Sequence, residues 1–362
     1  MHDIHYIVLV FFVSLLVSSL THHPMLRLAR KYGIYDNPES RKLQRVPIPV
    51  MGGCVVFLGA AAGSLCYWHF HDCTSIIPVQ AAMTVMLLIG ILDDMRDLSP
   101  YLKFAIETVV VTLLALYSGL LIDDLHGLWG IHQLPLWVAW PFTVIACVGI
   151  INSINLIDGV DGLSSGMCIL ILTFYSSMFF FCHDYVRAAF GSCFVGALIP
   201  FFVLNVFGEK SKMFIGDAGT LMLGVVISDM VAAMTSSASP CARQLDASPY
   251  CAPAFALAVM AVPVFDTLRV MFGRILRGRS PFRPDRSHLH HAFICYGFHH
   301  LDTALLEIFL DLAIVMLWYA TAHSYLPREW QFYIVAAVGI AAICVLYWML
   351  GRKKRIARRT TP

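Results

Sequence analysis

The chain has 362 residues, 59% of them hydrophobic and 13% charged, with a mean hydropathy of +0.73. Soluble domains carry about 25% charged residues, so the composition excludes a soluble enzyme and predicts an all-α polytopic membrane protein. The formal net charge is only +2, and no nucleic-acid partner is expected.

Hydropathy predicts eleven spans, at about 4–20, 50–68, 77–92, 101–122, 135–153, 162–182, 186–206, 214–235, 252–272, 302–321 and 329–350, each near the ~20 residues that cross a bilayer. Of 25 Lys and Arg, 21 fall on one set of loops and 3 on the other. The richer set is expected to be cytoplasmic, which puts the N-terminus outside and the C-terminus inside. Residues 1–6 lack a positive n-region, so no cleavable signal peptide is expected. With no repeat or soluble insertion, 1–362 reads as one membrane domain. Its basic tail, 352–362, is suited to lipid headgroups.

Segment 21–33 contains L-R-L-A-R-K and is expected to lie as an interfacial helix. A proline-punctuated loop leads to Gly52 and Gly53, small enough for helix backbones to approach closely. The third span ends in D-D-M-R-D, setting Asp93, Asp94 and Asp97 at the cytoplasmic rim, with Lys103 opening the fourth. Glu107, four residues on, is expected to pair with Lys103. Asp123 and Asp124 fall in a small external hairpin and read as solvated turn residues.

The stretch 151–163 reads I-N-S-I-N-L-I-D-G-V-D-G-L. Asn152, Asn155, Asp158 and Asp161 recur every third residue and share a broad helical face. Gly159 and Gly162 break the helix and admit a ligand to the backbone. Intramembrane ionisable groups of this kind mark function by default.

The eighth span opens M-F-I-G-D-A-G-T. Asp217 can hold a metal there while the exposed amides of the helix end cradle phosphate; the plainer alternative is an N-cap. The loop 274–291 carries Arg274, Arg277, Arg279, Arg283 and Arg286 with His288, His290 and His291. Forked guanidinium donors suit phosphate, whereas an ordinary positive loop leaves H-x-H-H unexplained. Asp266 reads as a partner of Arg269. Asp229 and Asp311 receive no role. Cys241 and Cys251 share an external loop in which they could pair, and no Cys/His zinc spacing occurs.

If Asp93, Asp94, Asp158, Asp161 and Asp217 converge, so many carboxylates need a cation to stay ionised. All-oxygen ligands favour Mg²⁺, with Mn²⁺ as the substitute. Carboxylates, Mg²⁺ and arginines suit phosphoryl transfer. A site at a membrane rim suits one lipid substrate and one soluble nucleotide. A cation transporter would instead place its site near the midplane, and a lipid-diphosphate phosphatase would need a clear acid/base pair.

D-D-M-R-D, N-S-I-N-L-I-D-G-V-D-G-L, M-F-I-G-D-A-G-T and P-F-R-P-D-R-S-H-L-H-H stand in this order between about residues 41 and 291. Together they resemble the polyprenyl-phosphate N-acetylhexosamine-1-phosphate transferases. P-D-R-S-H-L-H-H looks more like the WecA type than the MraY type, which makes the first peptidoglycan lipid intermediate. The resemblance implies Mg²⁺-dependent transfer of GlcNAc-1-phosphate from UDP-GlcNAc to undecaprenyl phosphate at the cytoplasmic face of a bacterial inner membrane. Another N-acetylhexosamine phosphate or phospho-MurNAc-pentapeptide is the alternative cargo, and a homodimer is left open. By motif position, Asp217 and Asn155 would hold the metal, and Asp93 and Asp94 would face the lipid phosphate. Lys103 would meet phosphate, and Asp161 the uracil edge with Asp158 in support. His288, His290, His291, Arg274, Arg283 and Arg286 would grip the sugar and diphosphate. Thr220 stands where Ser is common in the family and keeps the hydroxyl.

Overall fold

The computed structural model describes residues 2–36, 46–246, 248–280 and 287–360. Its helices, in chain order, are α1 (His2–Tyr32), α2 (Gly52–Trp68), α3 (Ile77–Arg96), α4 (Pro100–Ser118), α5 (Leu136–Leu156), α6 (Leu163–Phe181) and α7 (Tyr185–Phe207). Then follow α8 (Gly216–Thr235), α9 (Pro240–Asp246), α10 (Ala252–Val259), α11 (Ala261–Ile275), α12 (Leu289–Tyr296), α13 (His300–His323) and α14 (Arg328–Thr360). Among the described residues, nine of these are each long and apolar enough to cross a membrane. The pair α10 and α11, bent by 75° at its break, passes the same test of length and composition only when taken together, and α2 is a shorter apolar helix. All eleven predicted segments are therefore helical, and the ninth is broken.

The break explains Asp311. Where α11 restarts, its first amides have no partner within the helix, an expensive state inside a bilayer. Asp311 on α13 accepts the Val262 N–H at 2.8 Å. Asp229, likewise without a role from sequence, lies 3.8 Å from Arg187, whose guanidinium also meets Asp184 at 2.9 Å. Both carboxylates hold the fold.

Two expectations are corrected here, and the open question of the cysteine pair is answered. Segment 21–33 is no separate interfacial helix: Val10, Ser14, Ser18, His22, Leu26 and Ala29 are buried along one continuous face of α1. Ser18 donates to the Ala197 carbonyl on α7, and His22 bonds the Ser211 carbonyl. The predicted hairpin is present as β3 (Asp124–Leu128) against β4 (Ile131–Gln133), but its acids are not solvated. Asp124 is buried, and Asp123 takes the Ser237 amide and hydroxyl at 2.8 and 2.7 Å. All eleven cysteines are free; Cys241 sits beside Cys182, whose thiol donates to its carbonyl, rather than pairing with Cys251.

Helix α8 is buried along its apolar length and packs against α2, α3 and α5. Small residues allow this. A Cβ on Gly90 would strike the backbone of Asp217 and Ala218, and one on Gly53 that of Ala218 and Gly219. With no side chain between them, α3 and α8 meet backbone to backbone. Gly90→Val is expected to force them apart, lowering the Tm by more than a Val85→Ala control on an exposed face. An unchanged Tm would show that the contact is not tight.

Candidate active site

Gly90 lies one turn before Asp94, so the close contact sets the carboxyl end of α3 against the amino end of α8. Gly216, at φ +71°, makes the turn into α8. The Asp94 carboxylate accepts the N–H of Asp217 at 2.9 Å and of Ala218 at 3.2 Å. The Asp94 carboxylate is thus engaged by the helix end, and those two amides of the expected anion cradle are already taken. A carboxylate there complements the helix dipole and fixes the start of α8.

Beside that clamp stands Lys103, from the first turn of α4. Its Nζ is 2.5 Å from Asp93 and 3.2 Å from Asp217. Asp93 also accepts the Leu98 N–H at 2.7 Å, and Asn155 donates to Asp217 at 2.7 Å and to the Thr220 hydroxyl at 2.9 Å. The Lys103–Glu107 pair is thus replaced: Lys103 is committed to the aspartates, and buried Glu107 accepts from Asn152.

The turn between α5 and α6 carries the next two acids. Asp158 is exposed and opens onto the cavity, and its carboxylate accepts the Ser164 hydroxyl at 2.6 Å. Asp161 pairs with Lys212 at 2.5 Å and His300 at 2.9 Å. Its burial acts to raise it, but the hydrogen bonds from His300 and Lys212 outweigh that and hold the carboxyl below its usual range. Asn205 fastens the turn, accepting the Gly162 N–H at 2.8 Å and donating to the Met213 carbonyl at 2.9 Å. Sequence reasoning gave no role to Lys212, His300 or Asn205. The one available signal was Lys212, a cation on the acidic loops' side.

His288 is buried, with Nδ1 2.8 Å from Asp266. The rings of His288 and His290 are nearly parallel, 5.8 Å apart, and His290 also meets His291 at 4.3 Å. Burial, with His291 and His288 beside it, pushes His290 well below its ordinary value, so it is neutral. Arg274 is buried at the end of α11. Arg283 and Arg286 lie outside the described residues.

One cavity of about 2260 Å³ joins these parts: Asp93, Asp94, Lys103, Asn155, Asp158, Asp161, Asp217, Arg274, His288 and His291 all line it. His290 does not. From this polar end the cavity continues between apolar residues such as Phe142, Ile145, Leu257 and Leu268 to the hairpin residues Leu128 and Trp129. Tyr35, Asp36 and Ile48 also line it, from β1 (Tyr35–Asp36) and β2 (Ile48–Pro49), a two-stranded piece that the proline-rich sequence did not suggest.

Among the described residues, the tight group of potential metal-ligating side chains is Asp124, His126 and Asp246, at the hairpin end. Arg328 already reaches that group, 3.9 Å from Asp246. The polar end offers a different fit. Asp93, Asp217 and the amide oxygen of Asn155 are an all-oxygen set, and the Lys103 ammonium lying between the two carboxylates marks a place where positive charge is required.

The architecture and site define a class: a multi-pass membrane protein whose polar cluster opens into a long apolar cavity. Residues 76–236 match glycosyl transferase family 4. The chain is 31% identical over 83% of its length to a Bacillus subtilis (strain 168) protein, of which it covers 80%, named "Probable undecaprenyl-phosphate N-acetylglucosaminyl 1-phosphate transferase". It is 30% identical to the Haemophilus influenzae undecaprenyl-phosphate alpha-N-acetylglucosaminyl 1-phosphate transferase, over 89% of each chain. With the protein of that name from Escherichia coli (strain K12) it shares 27% identity over 92% of this chain and 90% of that one. The chain belongs to this glycosyl transferase family.

Asp94→Ala is expected to cost about 2 kcal/mol by leaving the two α8 amides unpaired. A lowered Tm with α8 amides newly open to hydrogen exchange would bear this out; unaltered protection at Asp217 and Ala218 would contradict it.

Proposed function

We propose that the chain transfers GlcNAc-1-phosphate from UDP-GlcNAc to undecaprenyl phosphate, releasing UMP. The observation that carries this reading is the joining of two environments in one cavity. A carboxylate, lysine and histidine end suits a nucleotide sugar, and the apolar continuation suits a polyprenyl chain. Relatives named for this activity, aligned over most of the chain, support it.

An oxygen of the lipid phosphate attacks the phosphorus that carries the sugar. The bond from that phosphorus to the oxygen bridging it to the uridine phosphate breaks, and UMP leaves with the electron pair. A phosphate monoester with a second pKa near ~6 is largely dianionic at neutral pH, so a strong base is not required and no aspartyl-phosphate is needed. Lys103 pairs with lipid phosphate as that group displaces part of its hold on Asp93. Asp93, tied to the Leu98 amide, orients the incoming phosphate, while Asp94 acts at one remove by holding the start of α8. Asp161 meets the uracil edge by exchanging one of its present cationic partners for the base, with Asp158 in support. Arg274, His288 and His291, with Arg283 and Arg286, hold the diphosphate and sugar; His290 backs the His288 ring. Asp217 and Asn155 would hold Mg²⁺, or Mn²⁺ in its place, which supplies charge neutralisation between the two phosphates.

UDP-GlcNAc is soluble, so the polar end belongs on the cytoplasmic side of a bacterial inner membrane, in keeping with the loop cations. The N-terminus is then outside and the basic tail inside, among membrane lipids.

Purified protein given undecaprenyl phosphate and a panel of UDP-sugars should release UMP with UDP-GlcNAc and Mg²⁺, and not after chelation. Asp217→Ala should lower the rate by more than 100-fold (about 3 kcal/mol) while leaving the protein folded. Lipid product from UDP-MurNAc-pentapeptide alone would overturn the choice of sugar; metal flux without UMP release would overturn the reaction.

A further inference from the structure

Asp266 is more than the partner of Arg269 that the sequence suggests. Its carboxylate takes His288 Nδ1 at 2.8 Å, the Leu289 N–H at 3.1 and 3.2 Å, and the Arg269 guanidinium at 2.7 and 3.2 Å. Arg269 is itself held, donating to the Ser287 carbonyl at 2.5 Å and lying 3.8 Å from the centre of the Tyr347 ring on α14. Three consecutive residues, Ser287 to Leu289, are thereby fastened to α11 where the histidine segment enters α12.

The consequence falls on one ring atom. His288 is buried and lines the cavity, and its Nε2 has no hydrogen-bond partner among the described residues. A carboxylate at Nδ1 fixes the proton there and leaves Nε2 for a ligand. An unsatisfied buried nitrogen costs free energy, so its retention beside a cavity points to a group that arrives. The near-parallel His290 ring limits rotation of the imidazole. A plain Asp266–Arg269 ion pair accounts for the guanidinium but not for the orphaned Nε2.

We propose that Asp266 is the positioning residue for His288, holding Nδ1 so that Nε2 faces the cavity and meets a phosphate oxygen of the nucleotide sugar. When the ring carries its second proton, Asp266 offsets the charge and Nε2–H makes a charge-assisted hydrogen bond. Asp266 itself touches no substrate. The proposal rests on the transferase reading.

The test compares wild type, Asp266→Asn, His288→Gln and the double variant by UMP release. Asp266→Asn is expected to lower kcat by about 10- to 100-fold with KM for UDP-GlcNAc changed less than about threefold. On the His288→Gln background the same substitution should cost less than about twofold, because its effect passes through His288. Equal losses on both backgrounds would make Asp266 merely structural and overturn the proposal. A measurement on wild type covers the case in which Asp266→Asn does not fold. NMR of ¹⁵N-histidine-labelled protein should show a ring with a protected proton on Nδ1, absent from His288→Gln. A His288 ring unprotonated at Nδ1 would overturn the proposal. Wild type that releases no UMP would remove the transferase reading and leave the NMR result standing. Active wild type with fully active Asp266→Asn would remove this proposal alone.

Discussion

Two carboxylates from different helices share one ammonium: Lys103 lies between Asp93 of α3 and Asp217 of α8. Like charges in a partly desolvated place repel unless a cation stands among them. Much of the surrounding architecture serves to hold that arrangement. Gly90 and Gly53 let backbones touch, Asp94 clamps the first turn of α8, and Asn155 reaches across from α5 to Asp217. Four helices are thus fixed around a point that demands positive charge.

The acids separate into two kinds. Asp94, Asp229, Asp266 and Asp311 satisfy helix ends, buried arginines or a ring nitrogen inside the protein. Asp93, Asp158, Asp161 and Asp217 have partners that a ligand can exchange, and they line the cavity. The distinction is physical rather than positional, since Asp93 and Asp94 are neighbours in the chain. One turns to a lysine and the other to two amides.

Spans were legible because about twenty apolar residues are a strong signal, and the ordered acidic motifs named the family. Partner choice was not legible. Lys103 had Glu107 one turn away in sequence, yet Asp93 on the preceding helix and Asp217, 114 residues on, claimed it. The capture of the α8 amides by Asp94, and of Asp161 by Lys212 and His300, likewise depends on helices meeting in space. Burial of Asp124 was hidden because the α9 segment packed against the hairpin is only seven residues long and lies more than 100 residues away in sequence. The interfacial reading of 21–33 failed for a local reason. Its charges suggested a lipid surface, but the buried spacing of α1 runs on through His22, Leu26 and Ala29.

The central proposal is that the metal would be held by Asp217 and Asn155, at the polar end of the cavity, and not by the tighter Asp124–His126–Asp246 group at the hairpin. Electron paramagnetic resonance of Mn²⁺ titrated into the purified protein tests this most directly. Bound Mn²⁺ that is lost in Asp217→Ala and retained in Asp246→Asn is the result the account predicts. Bound Mn²⁺ unaffected by Asp217→Ala and lost in Asp246→Asn would contradict it.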